Sequence, residues 1–198
     1  MSNCSLWFQR YHPHLGDVII DIGAGDGEDL AEMSTGVGPA GRVIAFEAHS
    51  GFCSIAKSAA TRLENVTLMN LAITGADGPF YVDESEEWEA TTVSSERTPV
   101  CVPGRRLDGI LEELGVTRNI AFLKMNIEGG EREALPGAVE TLRNTRVACI
   151  CAHDFRAHRG EGKRYITRDF VRQFLIGLGF PKIESVPGWD HVHAWRNA

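Results

Sequence analysis

The stretch Asp17-Val-Ile-Ile-Asp-Ile-Gly-Ala-Gly-Asp-Gly-Glu-Asp29 limits what this chain can fold into more than any other. Val18, Ile19, Ile20 and Ile22 are β-branched and nearly continuous, the pattern of a short parallel strand covered on both faces. Gly23, Gly25 and Gly27 then alternate with Ala24 and Asp26. Glycine opens positive φ and lets a ligand approach the main chain. A helix beginning near Gly27 would offer its unpaired N–H groups to polar atoms. Strand, glycine turn and helix in this order predict an α/β chain with a nucleotide-type site at the carboxyl end of its first strand.

The ligand follows from two carboxylates. The dinucleotide fingerprint needs a glycine three positions after the second one, and that position holds Glu28. Asp21 lies inside the strand, where a carboxylate repels a pyrophosphate but suits an ammonium or sulfonium. Arg42-Val-Ile-Ala-Phe-Glu47 reads as a second strand ending in an acid that can accept from both ribose hydroxyls. S-adenosylmethionine carries these groups. The residues assigned to it are Asp21, Gly23, Ala24, Gly25, Gly27, Glu47, Ala48, Asn70 and Ala72. The bland alternative is a tight βα turn with Glu47 in solvent.

A chain of 198 residues is expected to form one domain, with residues 1–16 as a cap segment and residues 79–102 as an insertion. The net charge of −7 argues against a general nucleic-acid surface. The 5 cysteines form no Cys-x-x-Cys pair and read as reduced, mostly buried thiols in a cytoplasmic protein. Cys149 and Cys151 are expected on opposite faces of one strand. No signal peptide and no membrane-spanning run are expected.

In chain order, Trp7, Phe8 and Tyr11 suggest a short helix packed on the core. Ser50 is expected to cap a helix whose inner face carries Phe52, Ile55, Ala56, Ala59, Ala60 and Leu63. Residues 65–70 complete a β-α-β-α-β half. Short extended pieces at 79–83, 91–94 and 98–102 flank an acidic loop with Glu84, Glu86, Glu87 and Glu89, and read as a small β insertion. A fourth core strand is expected at 120–127, then a glycine turn, Glu128-Gly-Gly-Glu131, and a helix split by Pro136. A fifth strand at 147–152 ends at His153-Asp154. Residues 155–165 are basic, either a solvated loop or a lid over the substrate. Thr167 is expected to cap the last helix, before two terminal strands near 182–186 and 191–195.

The chain resembles the FkbM-type family of S-adenosylmethionine-dependent methyltransferases. The blocks that carry the resemblance are Ile20-Asp-Ile-Gly-Ala-Gly-Asp-Gly27, Val43-Ile-Ala-Phe-Glu47, Val102-Pro103 with Arg106-Leu-Asp108, Leu123-Lys-Met-Asn-Ile-Glu-Gly-Gly-Glu131, Leu135 with Gly137, and His153. Asn126 stands where the family usually has Asp, and Ala48 where it has Pro. The resemblance implies a class I methyltransferase (Rossmann-like) fold: a doubly wound, mostly parallel sheet with an antiparallel last strand. It also implies O-methylation of a small-molecule hydroxyl, on a sugar or secondary metabolite.

The catalytic candidates are His153, Glu128 and Asn126, expected with Asp154 at the strand ends where open α/β sheets bind ligands. His153 is the preferred base, because its ordinary pKa lies near working pH. Glu128 is assigned to orienting the acceptor or the base; for Glu128 and Glu131 a plain helix N-terminal charge is the alternative. No metal ligand is assigned, although Mg²⁺ is conceivable on Asn126, Glu128, His153 and Asp154. Asn126-Ile-Glu-Gly129 lacks the Asn-Pro-Pro-Tyr-type turn typical of planar-nitrogen methylation. Two rival functions stand beside this reading, an NAD-dependent oxidoreductase and a non-catalytic S-adenosylmethionine-binding module. Acceptor identity and oligomeric state are open.

Overall fold

The computed structural model describes residues 4–83, 92–94, 100–116, 118–185 and 190–197. The acidic loop residues Glu84 to Glu89, together with Thr91, Thr98, Pro99 and Val186, lie outside the described residues. A seven-stranded sheet of order β10-β11-β9-β8-β1-β2-β3 forms the centre. Its strands are β1 (Val18–Ile22), β2 (Arg42–Glu47), β3 (Val66–Asn70), β8 (Ile120–Met125), β9 (Thr145–Cys151), β10 (Lys182–Ser185) and β11 (His191–Trp195). β1, β2, β3, β8 and β9 pair in parallel, while β11 runs antiparallel to both β9 and β10. The expected class I methyltransferase-type sheet is therefore present, with its last strand inserted antiparallel. A second sheet of order β4-β7-β5-β6 is built from β4 (Ala72–Ile73), β5 (Gly78–Asp83), β6 (Thr92–Ser94) and β7 (Val100–Arg105), so it reaches beyond the expected residues 79–102 at both ends.

Alternation along the strands divides the core into two layers. Ile20, Ile22, Ile44 and Phe46 face a layer covered by α4 (Leu107–Glu113), α6 (Val139–Arg143) and α8 (Arg168–Gly177). Ile19, Val43, Ala45 and Phe122 face the other, covered by α1 (Cys4–Trp7), α2 (Leu30–Val37) and α3 (Ser50–Ala60). The N-terminal aromatics pack as expected: Trp7 and Tyr11 are buried, and the Tyr11 ring stacks on Phe122 at 4.7 Å. Asp108, in the Arg-Leu-Asp block, serves the fold. Its carboxylate accepts from the Glu140 N–H at 3.0 Å and the Thr141 N–H at 2.8 Å, which caps α6 from a neighbouring helix.

Several local expectations are corrected. Helix α2 begins at Leu30 rather than near Gly27, because Gly27 holds φ +85° in the turn. His49, not Ser50, caps α3; its Nδ1 accepts from the Gly51 and Phe52 N–H groups. The inner face of α3 is Cys53 and Ala56, and Ile55 is 55% exposed. Cys149 and Cys151 share one face, with Ile150 on the other, since residues two apart in a strand point the same way. The basic segment after β9 is not plain loop: it holds α7 (Asp154–His158) and a 3-10 turn at Lys163–Tyr165. Asp154, not Thr167, supplies the side-chain cap of α8, accepting from the Thr167 and Arg168 N–H groups. The Thr167 hydroxyl instead accepts from the His153 N–H at 3.1 Å.

Candidate active site

A cleft with about 720 Å³ of empty space, counted to its open mouth, lies at the carboxyl ends of β1, β2 and β8. Of the residues singled out in the sequence, Gly23, Gly25, Glu47, Ala48, Ala72, Asn126 and Glu128 line it. His49, Phe52, Leu71, Ile73, Ile127, Gly130 and Glu133 also line it and were not anticipated as site residues. Only His49 had a local signal, since it follows the strand-end acid and precedes a helical run.

The glycine turn is held by neighbouring strands. The Gly23 and Ala24 N–H groups donate to the Phe46 carbonyl at 2.9 and 3.0 Å. Gly23 has φ +82°, and a Cβ there would come within 1.9 Å of the Asn126 carbonyl oxygen. The position therefore needs glycine both for its backbone and for the closeness of β8. Glu47 closes the turn from the end of β2, accepting from the Gly25 N–H at 2.7 Å and the His49 N–H at 2.8 Å. Burial raises its pKa, and these two backbone donors pull the other way. Asn70 and Ala24 serve the scaffold rather than the cleft. The Asn70 amide donates to the carbonyls of Glu47 and Ala48, and Ala24 is buried in the core. Gly27 packs against Ala56 of α3.

Asp21 does not reach the cleft. It is fully buried and sits beside Lys124 in the β1–β8 register, with Lys124 Nζ 2.9 Å from Oδ1. The ammonium that Asp21 seemed to await is thus supplied by the protein itself. Lys124 Nζ also donates to the Gly23 carbonyl at 2.8 Å, stands 4.0 Å from Asp29, and lies 5.0 Å from the Trp7 ring centroid. Burial opposes its charge, but Asp21 and Asp29 hold its pKa above the ordinary lysine value. The Trp7 indole N–H donates to Asp29 at 2.9 Å, tying α1 to the end of the turn.

A second turn, after β8, forms the opposite wall. The Asn126 N–H donates to the Ile22 carbonyl at 2.8 Å, and the Asn126 side-chain oxygen is buried with no hydrogen-bond partner. Glu128 holds φ +54°, uncommon for a residue with a side chain, and its Oε2 is likewise buried without a hydrogen bond. His153 lies behind this turn and is 1% exposed. Its Nδ1 is 2.8 Å from Glu131 and its Nε2 is 3.4 Å from Glu128. Burial opposes the imidazolium, but the two carboxylates prevail and raise the pKa to about 10. Both ring nitrogens face carboxylates and the ring does not line the cleft, so His153 offers an acceptor no free nitrogen and the structure does not place it as the base. The residues weighed for Mg²⁺ also have other duties: Asp154 caps α8, and the His153 ring nitrogens face Glu128 and Glu131. Among the described residues, no group of three or more His, Cys, Asp or Glu side chains is placed to hold a metal ion.

The lining chemistry tests the cofactor. Glu47, Glu128 and Glu133 line the cleft, and no lysine or arginine does so among the described residues. Such a wall repels a pyrophosphate, which weighs against a nicotinamide dinucleotide. An adenosine with a cationic sulfonium tail fits it: a strand-end carboxylate for the ribose, a glycine turn for close approach, and polar oxygens beyond.

Comparison with known proteins agrees. The family model described as the Methyltransferase FkbM domain matches residues 21–182. The 2-O-methyltransferase NoeI of Sinorhizobium fredii is 24% identical over 184 residues, covering 83% of this chain and 75% of that protein. The solved FkbM methyltransferase of Methylobacillus flagellatus superposes with a TM-score of 0.62 at 17% identity, over 91% of this chain and 44% of that one. Aeropyrum pernix fibrillarin, solved with bound S-adenosyl-L-methionine, gives 0.56 at 16% identity, over 96% of this chain and 71% of that one. The two structural likenesses show the fold, and the match over residues 21–182 shows the family. The chain belongs to the FkbM family of S-adenosylmethionine-dependent methyltransferases.

Proposed function

We propose that this methyltransferase acts on a hydroxyl oxygen of a small molecule, and that Glu128 faces the acceptor. The observation that carries the reading is the Glu128 carboxylate, which lines the cleft with Oε2 free of hydrogen bonds. A hydroxyl held against that carboxylate finds an acceptor for its proton, the one chemical aid an alcohol nucleophile needs. S-adenosylmethionine supplies the methyl group on a sulfonium, so the reaction is an in-line displacement. The chain's task is then mainly alignment and exclusion of water. Glu47 and the Gly23–Gly25 turn hold the adenosine side. Asn126 lines the same cleft, and its side-chain oxygen has no hydrogen-bond partner within the chain. Phe46, Phe52, Leu71 and Ile73 supply an apolar wall. The 2-O-methyltransferase relative supports an oxygen acceptor.

The same reading takes the chain as one domain working in the cytoplasm on a diffusible acceptor, without nucleic acid. Free thiols at Cys4, Cys53, Cys101, Cys149 and Cys151 and the net charge of −7 support it. No helix among the described residues is long and apolar enough to cross a membrane.

The test is methyl transfer from labelled S-adenosylmethionine to panels of sugar and aromatic hydroxyls, with amines in parallel. Methyl ethers as product, with Glu128→Gln slowed by about tenfold or more, are expected. Transfer only to nitrogen, or a fully active Glu128→Gln variant, would overturn the reading. Binding of S-adenosylhomocysteine with no transfer at all would favour the non-catalytic module, for which Asn126 in place of the family's Asp is the motivating feature.

A further inference from the structure

The wall that presents Glu128 is braced by buried charged groups to which the proposed chemistry gives no task. Glu131 is wholly buried, and its Oε1 accepts from the Gly129 N–H at 3.2 Å while standing 2.8 Å from His153 Nδ1. The other ring nitrogen faces Glu128 Oε1 at 3.4 Å. Each nitrogen therefore meets a carboxylate oxygen, and only the doubly protonated ring can donate to both. From the outer side, Arg156 Nη1 donates to the Glu128 carbonyl at 2.9 Å and lies 3.8 Å from Oε2. Arg156 is fixed in turn by Glu161 at 2.6 Å and by the Tyr165 ring, whose centroid is 4.1 Å away. That ring occupies the space beside Gly129, where a Cβ would come within 2.3 Å of it.

This bracing has a target. Glu128 keeps a left-handed backbone that a residue with a side chain rarely adopts, so its surroundings must hold it there. His153 holds Oε1 from behind, while Arg156 holds the carbonyl and stands at ion-pair range of Oε2, so both carboxylate oxygens and the backbone of Glu128 are fixed. We propose that His153, with Glu131 behind it, is a positioning residue that fixes the Glu128 carboxylate, and the turn that carries it, in the cleft wall facing the acceptor. The acceptor's part in this rests on the function proposed above. The charge on the ring, favoured by both carboxylates, keeps the strut intact across neutral pH. The other charged groups nearby do not compete for it. Asp154 is spent on capping α8, and His191 on β11 is pushed down to about 4, chiefly by burial, which leaves it neutral.

The deciding measurement is the titration of His153 by long-range ¹H–¹⁵N NMR in the full chain, for the wild type, Glu128→Gln and Glu131→Gln. It needs no acceptor. The wild-type ring is expected to remain an imidazolium from about pH 6 to pH 8.5. Each variant should lower its proton affinity by about tenfold or more. A neutral wild-type ring at neutral pH, or a midpoint unchanged in Glu128→Gln, would overturn the proposal. A kinetic arm uses His153→Gln. It should lose about tenfold or more in kcat while S-adenosylhomocysteine affinity stays within about twofold. An unchanged kcat, or a parallel loss of kcat and cofactor affinity, would instead mark a group that only packs. Failure to methylate any hydroxyl would sink the acceptor reading alone, because the titration decides the Glu128–His153 coupling without it.

Discussion

The two walls of the cleft are built from the same parts used differently. Under the glycine turn, one buried cation, Lys124, meets Asp21 and Asp29. Behind the turn after β8, one buried cation, His153, meets Glu128 and Glu131. In the first cluster both carboxylates face inward and neither lines the cleft. In the second, Glu128 belongs to both the cluster and the cleft. The first cluster only holds a shape, whereas the second also puts one of its carboxylate residues in the cleft wall. The comparison teaches that a buried ion pair near a ligand site is no sign of function by itself. What matters is whether one partner still faces the ligand.

The largest expected effect breaks the first cluster. Lys124→Met strands Asp21 in the core and should cost about 3–5 kcal/mol, read by urea or thermal unfolding. Adding Asp21→Asn should recover most of that loss. If the single variant is as stable as the wild type, Lys124 does not carry the charge balance of this wall.

Next is Gly23→Ala, which sets a Cβ against the Asn126 carbonyl at a positive φ. A loss of about 1–3 kcal/mol is expected, with S-adenosylhomocysteine binding lost in calorimetry. Retained binding would mean that the two turns separate more easily than their packing implies.

Glu47→Ala should leave the fold standing while weakening S-adenosylhomocysteine by about tenfold to a hundredfold, the range for hydrogen bonds to a charged group. Unchanged affinity would remove Glu47 from the cofactor side.

The smallest effect is a difference in slope with pH. The folded pKa of His153 is raised, so its contribution is complete below its unfolded value of 6.5 and fades as pH rises to about 10. The Lys124 pKa is raised above the ordinary lysine value of 10.5, so its contribution persists through the same window. The Tm advantage of wild type over His153→Gln should therefore shrink by a few degrees across that window, while the advantage over Lys124→Met stays level. Two parallel slopes would erase the distinction between the walls.

Strands, glycine turns and most helix spans were legible because their cues are local: β-branched runs, positive-φ glycines and apolar stripes. Local cues failed where another group, adjacent or distant in the chain, intervened. His49 displaced Ser50 as a cap, and Asp154 displaced Thr167, because a better-placed acceptor outcompetes a hydroxyl. Asp21 was misread because nothing in its own stretch reveals Lys124. The two lie far apart in the chain and meet only through the β1–β8 register. His153 was misread for the same reason, since its ordinary pKa belongs to a ring in water and not to one between Glu128 and Glu131.

Taken alone, the sequence determined the strand–turn–strand frame, the family blocks and the end of the sheet at which ligands bind, because periodicity and glycine placement act over a few residues. Tertiary structure decided which acids are spent and which remain free. Side-chain charge is settled by neighbours in space, and the register of β1, β8 and β9 chooses those neighbours from across the whole chain.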